Sequence, residues 1–143
     1  MKALSVLGYL GMVASLLFLA FTGNLFSFHP AVVVVQFLAA ALMLWARAAF
    51  GRRSFHAAAN PTAGGLVTSG PYRHIRHPIY TAVCLFTVAG VAAHWSWKTT
   101  LALGGMFACV MVRMLFEEKL VSARYPEYQA YAAKTRRMIP CIF

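Results

Sequence analysis

Charged residues are scarce in this sequence. Asp, Glu, Lys and Arg together make up 11% of its 143 residues, and only three residues are acidic. A soluble domain usually has about a quarter of its residues charged. Hydrophobic residues account for 61% of the chain, and its mean hydropathy is +0.67. This composition excludes an ordinary water-soluble domain and predicts an integral membrane protein with one domain, residues 1–143.

Cysteine is also scarce, and the three cysteines form no recognisable site. Cys84 and Cys109 lie within apolar runs, where cysteine usually behaves as a small buried hydrophobe. Cys141 is third from the end, whereas a prenylation signal needs its cysteine fourth from the end, so we expect no prenylation. His74 and His77 could share a helical face, but no carboxylate or cysteine lies near them in sequence. We therefore predict no metal site and no disulfide framework.

Positive charge is abundant relative to negative charge, with a formal net charge of +10. Such a balance can indicate nucleic-acid binding. Here the cations flank apolar runs instead of forming one stripe, so we expect no nucleic-acid partner. Twelve of the thirteen Lys and Arg residues fall on one side of the predicted membrane, and only Lys98 falls on the other. Because cations accumulate on the cytoplasmic side, we predict that both termini are cytoplasmic.

Long apolar runs dominate the rest of the chain. The first run is about twenty residues long, which fits a membrane-spanning helix better than the about 7–15 residues of a cleaved signal peptide. Three further runs have similar character. We predict an all-α, multi-pass membrane protein with four transmembrane helices, followed by a cytoplasmic tail at 117–143. The predicted spans are residues 3–22, 31–50, 78–94 and 99–116.

The longest polar passage, residues 64–80, separates the second and third runs. Arg73 and Arg76 lie in it, close to the predicted start of the third helix. A helix N-terminus flanked by arginines favours a carboxylate or phosphate. The rings of Tyr72 and Tyr80 could flank a flat group or a cation. This passage predicts a site at the cytoplasmic end of the helices for an amphiphilic ligand that has a carboxylate and a cationic group.

Charged residues also close the fourth run, at Arg113, Glu117 and Glu118. A pair spaced four residues apart on a helix contributes only about 0.2–0.5 kcal/mol. An uncompensated ion near mid-membrane costs at least about 2.5–3.5 kcal/mol. Helix stability alone therefore does not explain these charges. They either mark the water interface or form a charged pocket that faces residues 64–80.

The tail contains three tyrosines at three-residue spacing, Tyr125, Tyr128 and Tyr131. This spacing places them along one side of a helix that is broken or bent near Pro126. The stripe could pack against the membrane surface, or it could belong to the site. The spacing alone does not distinguish these two interpretations.

Several short motifs follow one another in a fixed order. They are Leu66-Val67-Thr68-Ser69-Gly70-Pro71-Tyr72, Arg76-His77-Pro78-Ile79-Tyr80, Glu117-Glu118, Tyr125-Pro126-Glu127-Tyr128-Gln129-Ala130-Tyr131 and Arg137-Met138-Ile139-Pro140. With an apolar hairpin between the second and third motifs, this order resembles the isoprenylcysteine carboxyl methyltransferase family. The same Arg-His-Pro-x-Tyr and Glu-Glu signature occurs in related membrane methyltransferases that act on phospholipid amines and small thiols.

The resemblance implies S-adenosylmethionine as the cofactor. It also implies two catalytic residues: Arg113 would hold a carboxylate acceptor by a two-point contact, and Glu118 would be a candidate base for a thiol or amine, as would His77. The implied cofactor-binding residues are Gly65, Leu66, Val67, Tyr72, His77, Pro78, Ile79, Tyr80 and Glu117.

The predicted activity is carboxyl O-methylation of an isoprenylcysteine-like, lipophilic acceptor that enters from the bilayer, with membrane lipid as the surrounding partner. Three alternatives remain open. The same fold could methylate a phospholipid amine or a small thiol, the chain could bind lipid without catalysis, or it could be an NADPH-dependent membrane reductase. The sequence has no Gly-rich dinucleotide fingerprint, but membrane reductases need not carry one.

Overall fold

The computed structural model describes residues 2–51, 65–140 and 142–143, and this part of the chain is helical without a strand. Arg52, Arg53 and His56 of the predicted cation-rich loop, together with Gly64, lie outside the described residues. The elements are α1 (Lys2–Phe21), α2 (Pro30–Phe50), a 3₁₀ turn (Gly70–Arg73), α3 (Pro78–Ala93), α4 (Trp97–Arg124) and α5 (Tyr128–Lys134).

Three of these helices, α1, α2 and α4, are long and apolar enough to cross a membrane. Between 17% and 28% of each span is buried inside the protein, so most of their apolar surface faces outward. Such wide apolar exposure is normal for helices in lipid and abnormal for a soluble monomer. The predicted all-α class and apolar helices are therefore confirmed for the described residues, with three candidate spans in place of the predicted four.

The remaining apolar helix, α3, has 16 residues and is about 24 Å long. That is shorter than the about 30 Å thickness of the hydrocarbon layer. In contrast, α4 has 28 residues and continues to Arg124, beyond residue 116, the predicted end of the fourth span. About twenty residues from Trp97 cover the hydrocarbon layer, so Glu117 and Glu118 belong to a continuous helix that extends beyond it.

Helix starts and ends follow local rules. Pro30 and Pro78 occupy the first turns of α2 and α3, where the missing N–H of proline costs nothing. Ser96 and Thr99 form a reciprocal capping box at the start of α4. Gly51 ends α2 with a φ of +67°, a backbone conformation that residues other than glycine rarely adopt.

The helices pack in the order α1, α4, α3, α2. The most extensive contacts join α1 to α4 and α2 to α3, while α3 and α4 meet as an antiparallel hairpin across residues 94–96. A core cluster of buried residues includes Met12, Met106, Val110 and Met114. This arrangement brings the start of α3 and the last turns of α4 to the same end of the molecule, called the site end below.

One close approach depends on a glycine in α3. A Cβ added at Gly90 would lie 2.1 Å from the carbonyl oxygen of Leu25. The same oxygen accepts a hydrogen bond from the amide of Gln36, at 2.8 Å. Because Gln36 holds the Leu25 carbonyl in place, the connection between α1 and α2 cannot easily move to make room for a side chain at position 90.

We expect Gly90→Ala to destabilise the protein, because the clash would displace the backbone at Leu25 and break its bond to Gln36. A core overpacking change costs about 1–3 kcal/mol. Gly104→Ala is the matched control, because its added Cβ meets no atom within 4 Å and alanine favours helix by about 1 kcal/mol. Unfolding in detergent should therefore show a lower midpoint for the first variant only. Equal midpoints would mean that the close approach at Gly90 is absent.

Candidate active site

Two adjacent carboxylates near the end of α4 organise the charged residues at the site end. Glu117 faces Tyr80 and Arg113, and these three residues are called the inner cluster. Glu118 faces Arg76 and Arg137, and these three are called the outer cluster. Neighbouring helix positions point about 100° apart, so one Glu-Glu pair serves two different groups.

The inner cluster is mostly buried. The hydroxyl of Tyr80 donates to Glu117 Oε2 at 2.9 Å, and the Nε of Arg113 donates to the same hydroxyl oxygen. The Nη2 of Arg113 lies 3.6 Å from Glu117 Oε1. Arg113 is only 4% exposed, whereas the Glu117 side chain is 26% exposed. Glu117 is therefore a partly accessible carboxylate with an arginine and a tyrosine behind it.

The imidazole of His77 lies between the two clusters. Its Nδ1 is 3.8 Å from Glu117 Oε2, and its Nε2 is 3.3 Å from Glu118 Oε1. The ring also stacks on Tyr80, with centroids 5.6 Å apart. His77 immediately precedes Pro78, the first residue of α3, so the position of the imidazole is fixed by a helix start and by both carboxylates.

The outer cluster joins α4 to the tail. Glu118 Oε1 accepts from the Nε of Arg76 at 2.9 Å, and Glu118 Oε2 lies 3.1 Å from Arg137 Nη2. The Nη1 of Arg76 also donates to the carbonyl oxygens of Ala132 at 2.9 Å and Thr135 at 2.6 Å. These carbonyls belong to the end of α5, which otherwise leaves its last C=O groups without helical partners. Arg76 therefore connects the start of α3, the end of α4 and the end of α5.

Backbone hydrogen bonds reinforce this connection. The N–H of Arg76 donates to the carbonyl of Arg136 at 2.7 Å, and the N–H of Arg136 donates to the carbonyl of His74 at 3.1 Å. The N–H of His77 donates to the carbonyl of Arg137 at 2.9 Å. Residues 135–138, called the tail strap below, are thus aligned in parallel with residues 74–77 through an isolated bridge.

Two tyrosines of the tail, Tyr128 and Tyr131, pack against other parts of the protein. Tyr128 is 7% exposed, and the hydroxyl of Tyr131 donates to the carbonyl of Tyr72 at 2.8 Å. Burial raises the pKa of Tyr131 to about 12, against the lowering effect of Arg76, and burial also raises the pKa of Tyr72 and Tyr128. The hydroxyl groups of all three tyrosines therefore stay protonated at physiological pH. Of the two interpretations of the tyrosine stripe, the structure supports the second for Tyr128 and Tyr131, which belong to the site end.

The predicted cofactor residues fall into two places. His77, Tyr80 and Glu117 are in mutual contact. Pro78 and Ile79 begin α3, which carries Tyr80, and Tyr72 is linked to the tail through Tyr131. Leu66 and Val67 line a cavity of about 510 Å³ beside the end of α2, next to Gly65, whose φ is +83°. The other residues that line this cavity are Ala49, Phe50, Gly51, Thr68 and Ser69.

The two predicted catalytic residues are placed differently. Arg113 is buried in the inner cluster, as a charged pocket requires, and Glu118 lies in the outer cluster between two guanidinium groups. The two guanidinium contacts favour the ionised form of Glu118 and make it an anchor for the tail, and its catalytic role stays a prediction. In the described part of the chain, no group of three or more His, Cys, Asp or Glu residues is arranged to hold a metal ion.

Sequence reasoning missed the residues that reach the site from distant segments. Arg76 was expected to favour a carboxylate or phosphate, and both Arg76 and Arg137 stood in the motifs, but nothing in the sequence indicated that they share Glu118. From α1, the carbonyl of Ser5 accepts from Arg113 Nη1 at 3.2 Å, and the ring of Tyr9 lies 5.0 Å from Arg113 Cζ. A polar tyrosine and serine in an apolar run were the only signals for these contacts.

Comparison with known proteins identifies the family. The model of the phospholipid methyltransferase family matches residues 26–128, which include α2, α3, α4 and both carboxylates. The chain belongs to the phospholipid methyltransferase family. This family is part of the membrane methyltransferase superfamily that the motifs predicted. The match does not confirm the predicted isoprenylcysteine subfamily. The match ends within α5 and does not include α1.

A curated relative shares part of the sequence. The chain is 35% identical over 78 residues to the nickel-cobalt-cadmium resistance protein NccN of Alcaligenes xylosoxydans xylosoxydans. The alignment covers 52% of this chain and 36% of that protein, so the chain spans about a third of the length of the relative it matches. No solved structure matches the chain.

Membership in the phospholipid methyltransferase family, together with three apolar helices, makes this chain a membrane protein of a methyltransferase family. Methyltransferases of this family generally use S-adenosylmethionine. That molecule contains a sulfonium, an ammonium and a carboxylate. The site end offers the partly exposed carboxylate of Glu117 for a cation, and aromatic rings beside it. The residues present therefore fit the cofactor.

Proposed function

We propose that the chain is an S-adenosylmethionine-dependent methyltransferase that acts on a lipophilic acceptor at the membrane. The observation that carries this proposal is the partly exposed Glu117 carboxylate at the end of two apolar helices, in contact with Tyr80 and Arg113. A fixed carboxylate at such a position provides a binding point for a cationic cofactor next to the bilayer. The family match supports the same reaction class.

The residues proposed to hold the cofactor are those in and beside the inner cluster. Glu117 would pair with its positive charge, and the stacked rings of His77 and Tyr80 would face it. The full proposed set is Gly65, Leu66, Val67, Tyr72, His77, Pro78, Ile79, Tyr80 and Glu117. When bound, the cofactor supplies a methyl group that is already activated, so the protein mainly has to align the acceptor with it.

Arg113 is proposed to bind an anionic group of the acceptor. Its contact with Glu117, at 3.6 Å, is longer than its contact with the Ser5 carbonyl, at 3.2 Å, and is the one that an incoming anion would most readily replace. In an isoprenylcysteine-like acceptor this anion is the carboxylate that becomes methylated. In a phospholipid amine it is the phosphate beside the amine, for which arginine is equally suited.

Of the two acceptor classes, we propose a phospholipid amine ahead of an isoprenylcysteine-like carboxylate, because the family match names phospholipids. An amine must lose a proton before it attacks the methyl carbon. His77 is proposed to accept that proton at Nδ1, because its Nε2 donates to Glu118 Oε1 at 3.3 Å, whereas Nδ1 lies 3.8 Å from Glu117 Oε2, too far for a hydrogen bond. Glu118 is the second candidate. The acyl chains would remain in the bilayer and reach the site between the helices.

The proposed topology has four crossings with the site end and both termini in the cytoplasm. The helix α3, at about 24 Å, would be a short fourth span. Bilayers adapt to short spans by local thinning at modest cost. The cations at the ends of α2, α4 and α5, among them Arg47, Arg124 and Lys134, support a cytoplasmic site end.

The acceptor class is tested by methyl transfer from labelled S-adenosylmethionine in lipid nanodiscs. Three acceptors are compared: phosphatidylethanolamine, a prenylated cysteine analogue and an alkyl thiol. We expect label in the phospholipid and less in the other two. Label in the prenylated cysteine alone would assign the isoprenylcysteine class instead, and no label in any of the three would contradict the proposed reaction.

A further inference from the structure

The first helix reaches into the candidate site although it lies outside the family match. The carbonyl of Ser5 accepts from Arg113 Nη1, and the ring centroid of Tyr9 lies 5.0 Å from Arg113 Cζ. Ser5 is fully buried, and Arg113 is almost so. A segment that the shared family sequence does not include therefore touches the residue proposed to bind the acceptor.

Two glycines allow this contact. A Cβ at Gly8 would lie 3.0 Å from the carbonyl oxygen of Cys109, and a Cβ at Gly11 would lie 2.5 Å from the sulfur of Cys109. Both glycines face α4, so the two helices approach more closely than side chains would permit. Tyr9, between them, consequently lies against Arg113, which follows Cys109 by one helical turn.

The guanidinium group of Arg113 is held in two different ways. Its edge is engaged by oxygen atoms of Ser5, Tyr80 and Glu117. Tyr9 contacts the cation with its ring, an attraction that strengthens where water is excluded. Edge contacts fix the direction of the N–H groups, whereas the ring limits tilting of the plane. When an acceptor anion replaces one edge contact, the ring contact remains.

We propose that Tyr9 is a positioning residue that keeps the Arg113 guanidinium oriented for the anionic group of the acceptor. Helix α1 thereby contributes to acceptor binding in this chain. The inference rests on the proposed function, since it assigns Arg113 to the acceptor. Tyr9 acts through Arg113, so removing its ring should weaken acceptor binding more than cofactor binding.

The test compares Tyr9→Phe, which keeps a ring over Arg113, with Tyr9→Leu, which removes it. The KM for the best acceptor of the wild-type protein should rise about three- to thirty-fold in Tyr9→Leu and change little in Tyr9→Phe. The affinity for S-adenosylmethionine, measured by calorimetry, should change less than threefold in both variants. Phe18→Leu is the control, because Phe18 is an exposed aromatic residue of the same helix.

A second measurement does not depend on turnover. The unfolding equilibrium is measured for a double-mutant cycle of Tyr9→Leu, Arg113→Met and the double variant. The two residues should be coupled by about three- to thirty-fold in this equilibrium. Absence of coupling would overturn the inference whether or not the protein methylates an acceptor. Two other results would show a purely structural contact and would also overturn the inference. In one, the residues are coupled but the acceptor KM of Tyr9→Leu is unchanged. In the other, Tyr9→Leu loses as much affinity for the cofactor as for the acceptor. Coupling in a protein that binds the cofactor but methylates nothing would support the contact and contradict the proposed function alone.

Discussion

Replacing Glu117 with glutamine is expected to weaken S-adenosylmethionine binding by about thirty-fold or more. The variant keeps the shape of the side chain but removes the negative charge proposed to face the cofactor. It also leaves the buried Arg113 with one ionic partner fewer. Truncating one member of a desolvated charge pair typically costs about 2–5 kcal/mol, of which the lower limit corresponds to about thirty-fold in affinity.

The sequence provides a matched control for this variant, because only three acidic residues occur. Glu127 is exposed at the start of α5, so Glu127→Gln removes the same charge from the tail without altering the inner cluster. Calorimetry should give wild-type affinity for this control. If Glu117→Gln also bound the cofactor as tightly as the wild type, the assignment of Glu117 to the cofactor would be wrong.

Replacing Arg76 with glutamine is expected to release the tail strap. The side chains of Arg76 and Glu118 are 11% and 13% exposed, and Arg76 also holds the carbonyls of Ala132 and Thr135. Breaking a buried ion pair by removing one partner usually costs about 3–5 kcal/mol. Because the tail backbone is paired with residues 74–77, its release should also disturb the position of His77.

Limited trypsin digestion measures this release directly, since Lys134, Arg136 and Arg137 lie in or beside the strap. Cleavage there should be at least tenfold faster in Arg76→Gln than in the wild type, and cofactor affinity should fall. Arg73→Gln is the control, because Arg73 is exposed in the 3₁₀ turn only three residues earlier. Equal cleavage rates in both variants would show that Arg76 does not hold the tail.

The helices of this protein could be predicted from sequence because their signals are local. The apolar runs located α1, α2 and α3 to within about two residues, and Pro30 and Pro78 stand at the starts of α2 and α3. The predicted fourth span ended at residue 116 because charged residues begin at Glu117, whereas α4 continues as one helix to Arg124, next to the break predicted near Pro126. The structure shows that these charges are compensated by Arg113 of α4 itself, by Arg76 just before α3 and by Arg137 of the tail, so helix and charge are compatible.

The candidate site was predictable in part. Motif order drew attention to His77, Tyr80, Arg113 and Glu117, which the fold places in direct contact. The sequence does not show that Glu117 and Glu118 contact different clusters, because this depends on which segment packs on each face of α4. Tyr9 contacts Arg113 across about a hundred residues of sequence, and the tail strap pairs with residues 74–77 across about sixty. No local sequence pattern predicts contacts at such separations.

Calorimetric titration of the detergent-purified protein with S-adenosylmethionine, and separately with NADPH, tests the central claim most directly. It does not require the acceptor to be known, and it separates the methyltransferase from a reductase and from a protein that only binds lipid. We predict saturable heat with S-adenosylmethionine that is lost in Glu117→Gln, and no heat with NADPH. Binding of NADPH without binding of S-adenosylmethionine would contradict the account.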